Sequence, residues 1–308
     1  MNLHDLKSKL PGVRHTPVPR SRHFKHLPST AWHMLRGVSA NRKPHLDESE
    51  SLPSLRTEAE RVTAGRYRLN RYRRACRFKA RDYMPVTFPQ ILAMPLHTAL
   101  VAHPDFPLQL LGLIHLRNDI IQHRQIGADE VLRIEVRNTA HRDVDAGQEF
   151  DLCTDVYVQD ELVWESTTTV LARIRGRNKK ADRQAEQEVE PEETRRESWQ
   201  VRSYYGRRYA RISRDFNPIH LASITSRWFG FKRPIAHGMW SLARCLAAVD
   251  ALEPITAIKI EARFMLPIFL PAWVTFVTGE NGNRKRFRLL DASGRRPHIL
   301  GWITPLDS

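Results

Sequence analysis

The sequence from Tyr209 to Trp240 reads YARISRDFNPIHLASITSRWFGFKRPIAHGMW, and this stretch indicates both fold and function. It places an aspartate, Asp215, and a histidine, His220, on one short loop, where a tight turn at Asn217 directs both side chains to one small volume. A few residues later Gly238 opens an apolar helix. A glycine N–H at a helix N-terminus is not shielded by a side chain, and the helix dipole favours negative charge there. The stretch therefore predicts an acid/base reaction site.

Two ordered blocks in this stretch resemble the signature of the MaoC-like dehydratases, the family of (R)-specific enoyl-CoA hydratases. The blocks have the forms Y/F-A-x-x-S-x-D-x-N-P-x-H and G-F-x-x-P-I-A-H-G-M. The matching residues are Tyr209, Ala210, Ser213, Asp215, Asn217, Pro218 and His220, then Gly230, Phe231, Pro234, Ile235, Ala236, His237, Gly238 and Met239. Many members have glycine where this chain has Arg214, which leaves the Asp/His pair intact but could change the substrate entrance.

The resemblance implies a reaction and a role for each central residue. The reaction is the reversible addition of water to a trans-2-enoyl thioester, which gives an (R)-3-hydroxyacyl thioester. It needs a base for water, an acid for the α-carbon and a donor for the enolate-like oxygen. By resemblance Asp215 and His220 form the catalytic dyad, Asn217 supports it, and the Gly238 amide binds the thioester oxygen.

Weaker substrate contacts are expected from residues next to the dyad, namely Ser213, Arg214, Pro218, His237 and Met239. A packing or capping role at the helix start is the alternative for His237, and Met239 and Trp240 are expected to line the core or an acyl tunnel. No metal or redox cofactor is expected, since coenzyme A or an acyl carrier protein would be part of the substrate. Basic residues that flank the motif are candidates for contact with that carrier, namely Arg214, Arg227, Lys232 and Arg233.

The composition is that of a soluble globular protein, with 308 residues, 41% apolar and 27% charged. No run of about 18 uncharged apolar residues predicts a membrane span. The cysteines Cys76, Cys153 and Cys245 lack metal or disulfide spacing and are expected to be small buried apolar residues, which fits the cytoplasm. The formal net charge of +15 favours an anionic partner: nucleic acid, an acidic membrane, an acidic carrier protein or a phosphorylated cofactor.

Changes in composition predict four segments. Residues 1–60 are interpreted as a basic, poorly ordered extension with a short helix around Ala31 to Arg36. Residues 61–175 form an N-terminal half, residues 176–198 a charged linker, and residues 199–308 a catalytic C-terminal half.

In each half an apolar helix precedes several strands. The predicted helices centre on Ile91 to Leu100 and on Gly238 to Leu252. The predicted strands are Val131 to Asn138, Glu149 to Val158, Leu162 to Ile174, the segment around Trp199 to Ser203, Ile255 to Phe264, Ala272 to Gly279, Arg284 to Asp291 and His298 to Ile303. This repeated order predicts an α+β double hotdog fold, in which two antiparallel sheets each wrap around a central helix. No residue similarity between the halves is evident, so the first half is expected to be degenerate and to supply packing and a tunnel.

The segment from Arg61 to Arg81 holds nine basic residues and no acid, which suggests nucleic-acid binding. Alternation of Cys76, Phe78 and Ala80 with basic residues favours a strand with one wet face instead. Histidines without metal-ligand spacing are expected in core or surface roles, namely His97, His103, His115 and His123. The alternatives to the hydro-lyase are therefore a non-catalytic acyl-thioester-binding protein and, less favoured, a nucleic-acid-binding protein. Monomer and homodimer both fit.

Overall fold

The computed structural model describes residues 20–30, 32–33, 42–47, 50–109, 112–174, 191–250 and 256–306. In these ranges the N-terminal half contains strands β1 (Arg20–Phe24), β2 (Leu55–Val62), β3 (Leu113–Gln122), β4 (Leu132–Val144), β5 (Gly147–Val158) and β6 (Glu161–Arg173). The C-terminal half contains β7 (Glu193–Val201), β8 (Ile258–Phe264), β9 (Ala272–Asn281), β10 (Arg284–Asp291) and β11 (Pro297–Pro305). The α-helices are α1 (Arg66–Cys76), α2 (Phe88–Val101), α3 (Tyr205–Ser213), α4 (Ser223–Arg227) and α5 (Gly238–Asp250).

The two halves repeat one strand order. The first reads β2-β4-β5-β6-β3 across its sheet, and the second reads β7-β9-β10-β11-β8 from the opposite edge, so both follow the order 1-3-4-5-2. Antiparallel pairing of β3 with β8, from Arg117–Arg263 to Gln122–Ile258, joins them into one eleven-stranded sheet. The predicted double hotdog architecture is confirmed, with the two antiparallel sheets joined edge to edge.

Each half has one long apolar helix, as predicted: α2 follows β2 in the first half and α5 follows β7 in the second. Helix α2 is buried on nearly every side and packs against β2, β4 and β5. Helix α5 is also largely buried and lies against β10. Both helices belong to one hydrophobic core that runs through the two halves. The halves therefore share an interior as well as a sheet.

The interpretation of Arg61 to Arg81 as a strand is wrong, because Arg66–Cys76 forms helix α1. Leu69, Tyr72 and Cys76 are buried at helical spacing on one side of it. Arg77 then takes a left-handed conformation (φ 63°) and ends the helix, so the alternation that suggested a strand reflects this chain reversal.

Two segment boundaries also need correction. Residues 20–24 and 55–60, assigned to a poorly ordered extension, lie in the parallel strands β1 and β2 at one edge of the sheet. Residues 193–198, assigned to the linker, lie in β7, which pairs with β9 at the other edge. In both cases hydrogen bonds to a distant strand order a polar segment that has little apolar surface of its own. Residues 176–190 of the linker and most of the helix predicted around Ala31 to Arg36 lie outside the described residues.

A half-buried arginine, Arg68, compensates for the proline inside helix α2. Pro95 has no N–H to donate to the carbonyl of Ile91, four residues earlier. Nη2 of Arg68 donates to that carbonyl at 3.0 Å, and its Nε donates to the carbonyl of Ile212, near the end of α3, at 2.9 Å. Burial first, and then the nearby Arg214, lowers the pKa of Arg68 to about 10. Arg68 thus links the helices that frame the candidate site.

Other predictions from composition can be compared directly with the structure. Cys76, Cys153 and Cys245 are all free and buried, as expected. No helix in the described part of the chain combines the length and the apolar character needed to cross a membrane.

Candidate active site

The motif loop leaves helix α3 through a sharp reversal. Arg214 takes the left-handed conformation (φ 63°), and its N–H donates to the carbonyl of Ala210, which ends the helix. The hydroxyl of Ser213 donates to the Tyr209 carbonyl at 3.0 Å and accepts from the N–H of Asp215 at 3.2 Å. Ser213, predicted as a weak substrate contact, is engaged inside the loop. These bonds fix the point at which Asp215 emerges.

The next turn of the loop sets the orientation of His220. Oδ1 of Asp215 accepts from the Asn217 N–H at 3.1 Å, and Oδ1 of Asn217 accepts from the Ile219 N–H at 3.4 Å. Asn217 thereby caps a single 3₁₀ turn over Pro218–His220. Nδ1 of His220 donates to the Ile235 carbonyl at 2.8 Å. Because Nδ1 carries the proton, Nε2 of the neutral ring keeps the lone pair and can accept a proton.

The loop needs a glycine on helix α3 to reach this position. A Cβ built on Gly206 would lie 2.1 Å from the carbonyl oxygen of His220, closer than any carbon–oxygen contact allows. Nη1 of Arg207 donates to the Leu221 carbonyl at 3.2 Å and fastens the same turn to the helix. The helix and the loop that carries His220 are therefore packed backbone to backbone.

Asp215, His220 and His237 form one cluster, and their possible ligand atoms all lie within 4.8 Å of one another. Nε2 of His237 is 3.1 Å from the main-chain oxygen of Asp215 and 3.8 Å from its carboxylate. The His220 and His237 rings stack with centroids 3.7 Å apart. Both histidines are buried, whereas Asp215 keeps 29% of its side-chain surface exposed. The dyad predicted from sequence is thus brought together, with His237 added to it.

The environment keeps the carboxyl group charged and the imidazoles neutral at pH 7. Burial alone would raise the pKa of Asp215, but His237, His220 and the Asn217 N–H hold it below its ordinary value. Burial lowers the pKa of His220, against the opposing effects of Asp215 and the Ile235 carbonyl. Burial and then His220 lower the pKa of His237 to about 3. A carboxylate beside a neutral imidazole can exchange protons with a water or hydroxyl placed between them.

One carboxylate and two imidazoles are also a donor set for a transition metal. A shared ion must lie in the plane of both rings, whereas these rings stack at 24° to each other and direct their lone pairs along nearly parallel planes. Nε2 of His237 is also engaged with the Asp215 carbonyl. This geometry favours acid/base work over metal binding.

Gly238 begins helix α5 beside this cluster. A Cβ there would meet ring carbons of Phe264 at 3.0 Å, so the aromatic ring lies directly over the first helical turn. The first N–H groups of a helix have no partner within it and can donate to an anionic oxygen. Of the other predicted residues, Met239 and Trp240 are buried, and Trp240 donates through Nε1 to the Ala75 carbonyl at 3.0 Å, which is a core contact between the halves.

The surface around the loop is basic and partly apolar. Residues 202–240 include eight arginines and lysines, and their single acid is Asp215. Arg207, Arg211 and Arg214 lie on one exposed side of α3, at spacings of four and three residues. Trp228 is 74% exposed nearby in sequence. We call the exposed residues 207, 211, 214, 224, 227, 228, 232 and 233 the basic surface.

Sequence reasoning missed one histidine near the cluster. His97 and His123, with Nε2 atoms 2.7 Å from Thr154 Oγ1 and 3.1 Å from Glu165 Oε1, have the structural roles that were expected. Burial lowers the pKa of His115 to about 4, and the Arg117 carbonyl and then Asp215 oppose this lowering, although His115 lies on β3 of the other half. No local pattern reveals this, because the pairing of β3 with β8 creates the proximity.

The first half retains a trace of the motif helix. Tyr72 on α1 and Tyr209 on α3 lie with ring centroids 6.2 Å apart, and each precedes a left-handed arginine by five residues. Those arginines, Arg77 and Arg214, share a φ of 63°. The residue similarity that was not evident from sequence alone is therefore present at the ends of α1 and α3.

When the two halves are aligned at Arg77 and Arg214, Phe78 occupies the position of Asp215 and Tyr83 occupies that of His220. The acid and the imidazole are thus replaced by two aromatic residues. A small cavity of about 10 Å³ is lined in part by Phe78, Arg81 and Tyr83. This replacement supports the expectation that the first half is degenerate.

Comparisons with known proteins agree with these features. A family model described as "MaoC like domain" matches residues 182–299. The 3-hydroxyacyl-thioester dehydratase X of Mycobacterium tuberculosis is 29% identical over 283 residues, which cover 91% of this chain and 99% of the relative. The crystal structure of HtdX from Mycobacterium tuberculosis has a TM-score of 0.71 at 27% identity, over 82% of this chain and 100% of that one. A MaoC-like dehydratase from Phytophthora capsici has a TM-score of 0.66 at 14% identity, over 84% and 96% of the two chains, which supports the fold alone. The resemblance drawn from the two motif blocks is confirmed.

Proposed function

We propose that this protein is a hydro-lyase that interconverts trans-2-enoyl and (R)-3-hydroxyacyl thioesters, and the match of residues 182–299 to a MaoC-like domain supports this. The observation that carries the proposal is the cluster of Asp215, His220 and His237 beside the start of helix α5. The relative from Mycobacterium tuberculosis is named a 3-hydroxyacyl-thioester dehydratase, which agrees with this substrate class.

In the hydration direction Asp215 and Nε2 of His220 hold the water and remove its proton as its oxygen attacks C3. The proton is then returned to C2, and the reverse sequence gives dehydration, so atoms balance in both directions. The Gly238 N–H donates to the thioester oxygen as negative charge develops there, and one such donor is worth roughly 10²–10³ in rate. Asn217 supports the dyad by holding the turn.

The carrier of the thioester would bind over the basic surface. Coenzyme A brings phosphates, and carrier proteins are commonly acidic, so either is attracted by the exposed basic side chains of this surface. Rim charges of this kind mainly change the association rate and its salt dependence. We propose that Arg214, Arg227, Lys232 and Arg233 make this contact. Pro218 and Met239 are proposed as weaker substrate contacts. The protein is further proposed to be cytoplasmic and to be a monomer or a homodimer.

The rival readings have less support. A non-catalytic thioester-binding protein would not require an acid and an imidazole held by six or more specific loop contacts. Nucleic-acid binding through α1 is disfavoured because Arg66 pairs with Asp129 at 2.7 Å, and because half-buried Arg68 donates to main-chain carbonyls of two other helices. Both Nη atoms of Arg73 are also engaged, and its Nη2 donates to the Tyr83 carbonyl at 2.7 Å.

The test is hydration of crotonyl-CoA and longer trans-2-enoyl-CoA, followed by loss of the absorbance of the conjugated thioester, with chiral analysis of the product. Asp215→Asn keeps an acceptor for the Asn217 N–H but loses the base, and His220→Ala loses the imidazole. Each should lower kcat by about 10²–10⁴ without loss of fold. Asp129→Asn, an exposed carboxyl changed in the same way, is the control. Unchanged turnover in both site variants, or an (S) product, would contradict the proposal.

A further inference from the structure

His237 contacts both members of the acid/base pair. Its Nε2 lies 3.1 Å from the main-chain oxygen of Asp215, and its ring stacks on the ring of His220 with centroids 3.7 Å apart at 24°. The ring of Tyr209 also packs against it, with centroids 5.0 Å apart at 55°. Only 3% of the His237 side chain is exposed, so the ring cannot turn without moving these neighbours. His237 therefore connects the two residues whose relative position the reaction depends on.

The contact with Asp215 fixes the tautomer of His237. A main-chain oxygen can only accept a hydrogen bond, so Nε2 carries the proton and Nδ1 of the neutral ring carries the lone pair. Nδ1 is buried and has no hydrogen-bond partner among the residues that the structure describes. A proton there would be a buried donor without an acceptor from those residues, which is unfavourable. Burial and then His220 lower the pKa of His237 to about 3, so the ring stays neutral at pH 7.

The same N–H lies close to the carboxyl group of Asp215. Nε2 of His237 is 3.8 Å from Oδ2 of Asp215. Burial alone would raise the pKa of Asp215, and the largest opposing effect is that of His237, followed by those of His220, the Asn217 N–H and His115. Removal of His237 would therefore raise the pKa of Asp215. The charge of the proposed base thus depends in part on a residue that is itself neutral.

These contacts separate two roles that His237 could have. A substrate contact needs an accessible polar atom, whereas Nε2 is engaged with Asp215 and the side chain is buried. A role through the dyad needs contacts with both of its members, and both are present. We propose that His237 is a positioning residue, which holds Asp215 through its Nε2–H and His220 through the face of its ring. This inference rests on the proposed function and assigns His237 to the dyad rather than to the substrate.

The first test separates the hydrogen bond from the stacking. His237→Phe keeps a ring beside His220 and removes the N–H, whereas His237→Gln removes the ring and offers a side-chain N–H at the position of Nε2. We expect kcat for enoyl-CoA hydration to fall about 10- to 100-fold in each variant, because either loss lets one member of the dyad move. KM for the thioester should stay within about twofold. His298→Phe is the matched control, because it also removes an imidazole that donates to a main-chain oxygen, that of Leu266 at 2.9 Å.

The pH dependence gives a readout that loss of packing alone would not change. The acid limb of kcat/KM reports the base of the free enzyme. It should move to higher pH in His237→Phe, because the pKa of Asp215 rises, and should stay near its wild-type position in His237→Gln. Wild-type kcat in both variants, a loss confined to KM, or an acid limb that does not move in His237→Phe would overturn the inference.

The second test needs no turnover and separates this inference from the proposed function. In ¹⁵N spectra of the full-length protein, the His237 signals, assigned by their absence in His237→Gln, should report a protonated Nε2 and an unprotonated Nδ1 between about pH 5 and pH 8. The ¹³C signal of the Asp215 carboxyl, assigned by its absence in Asp215→Asn, should titrate at higher pH in His237→Phe than in the wild type. A protonated Nδ1, or an Asp215 titration that does not change, would overturn the role of His237 even in an active enzyme. A protein with these spectra but without hydratase activity would contradict the proposed function alone.

Discussion

Replacing Gly206 with alanine should damage catalysis more than folding, and the structure gives the size of both effects. The new Cβ would lie 2.1 Å from the His220 carbonyl oxygen, whereas carbon–oxygen contacts settle at about 3.3 Å. The His220 turn must therefore retreat by about 1 Å. Alanine favours a helix over glycine by about 1 kcal/mol, but overpacking costs about 1–3 kcal/mol, so we expect a net destabilisation.

A displacement of about 1 Å at a reacting group costs roughly 100-fold in rate. We therefore expect kcat for crotonyl-CoA hydration to fall about 100-fold in Gly206→Ala, while the melting temperature drops by only a few degrees. Gly127→Ala is the control, because its Cβ would meet only the flexible Glu130 side chain, at 3.4 Å. A Gly206→Ala variant with wild-type kcat and an unchanged or higher melting temperature would refute the idea that this close approach sets the position of His220.

Three further predictions address stability, pH and charge. Arg68→Met should lower the free energy of unfolding by about 2–4 kcal/mol, because it leaves two buried carbonyls unpaired. The loss, measured by urea unfolding, should be smaller in a Pro95→Ala background, because alanine restores an N–H to the Ile91 carbonyl. Equal losses in both backgrounds would contradict this. Burial lowers the pKa of His97 to about 3, so the unfolded chain takes up its proton first and stability is lost as pH falls below 6.5; between pH 7 and pH 5 this loss is about 2 kcal/mol, and His97→Gln should show correspondingly weaker pH dependence. Arg211→Glu with Arg227→Glu should raise KM for the carrier thioester severalfold at low salt and little at high salt, whereas an increase independent of salt would show that these side chains act other than through their charge.

The elements that were predicted correctly are those whose signal is local. The helical spacing of four apolar residues predicted helix α2, and all four are buried: Ile91, Leu92, Leu96 and Leu100. The motif loop is also local, because Asp215 and His220 are five residues apart and one turn brings them together. Sequence reasoning found the site for this reason.

The elements that were missed depend on distant contacts. Strand β1 is five residues long and polar, and it is ordered by pairing with residues of β2 that lie 35 positions later in the chain. Helix α1 is rich in arginine, yet four of its apolar side chains belong to the core, and the left-handed Arg77 gave the following residues a false alternation. His115 could not be found because its position depends on a bulge and on a strand from the other half. These features arise from topology, which no single window of sequence contains.

The hydrogen-bonded seam between β3 and β8 has a consequence for how this protein behaves on dilution. Because both strands belong to one polypeptide, their association needs no encounter between molecules, and specific activity should not fall as the protein is diluted. Because the two halves are one polypeptide, the half without an acid/base pair is always synthesised together with the half that has one. A destabilising substitution in the first half would then also inactivate the second half, so the first half is required for activity although it lacks the acid/base pair.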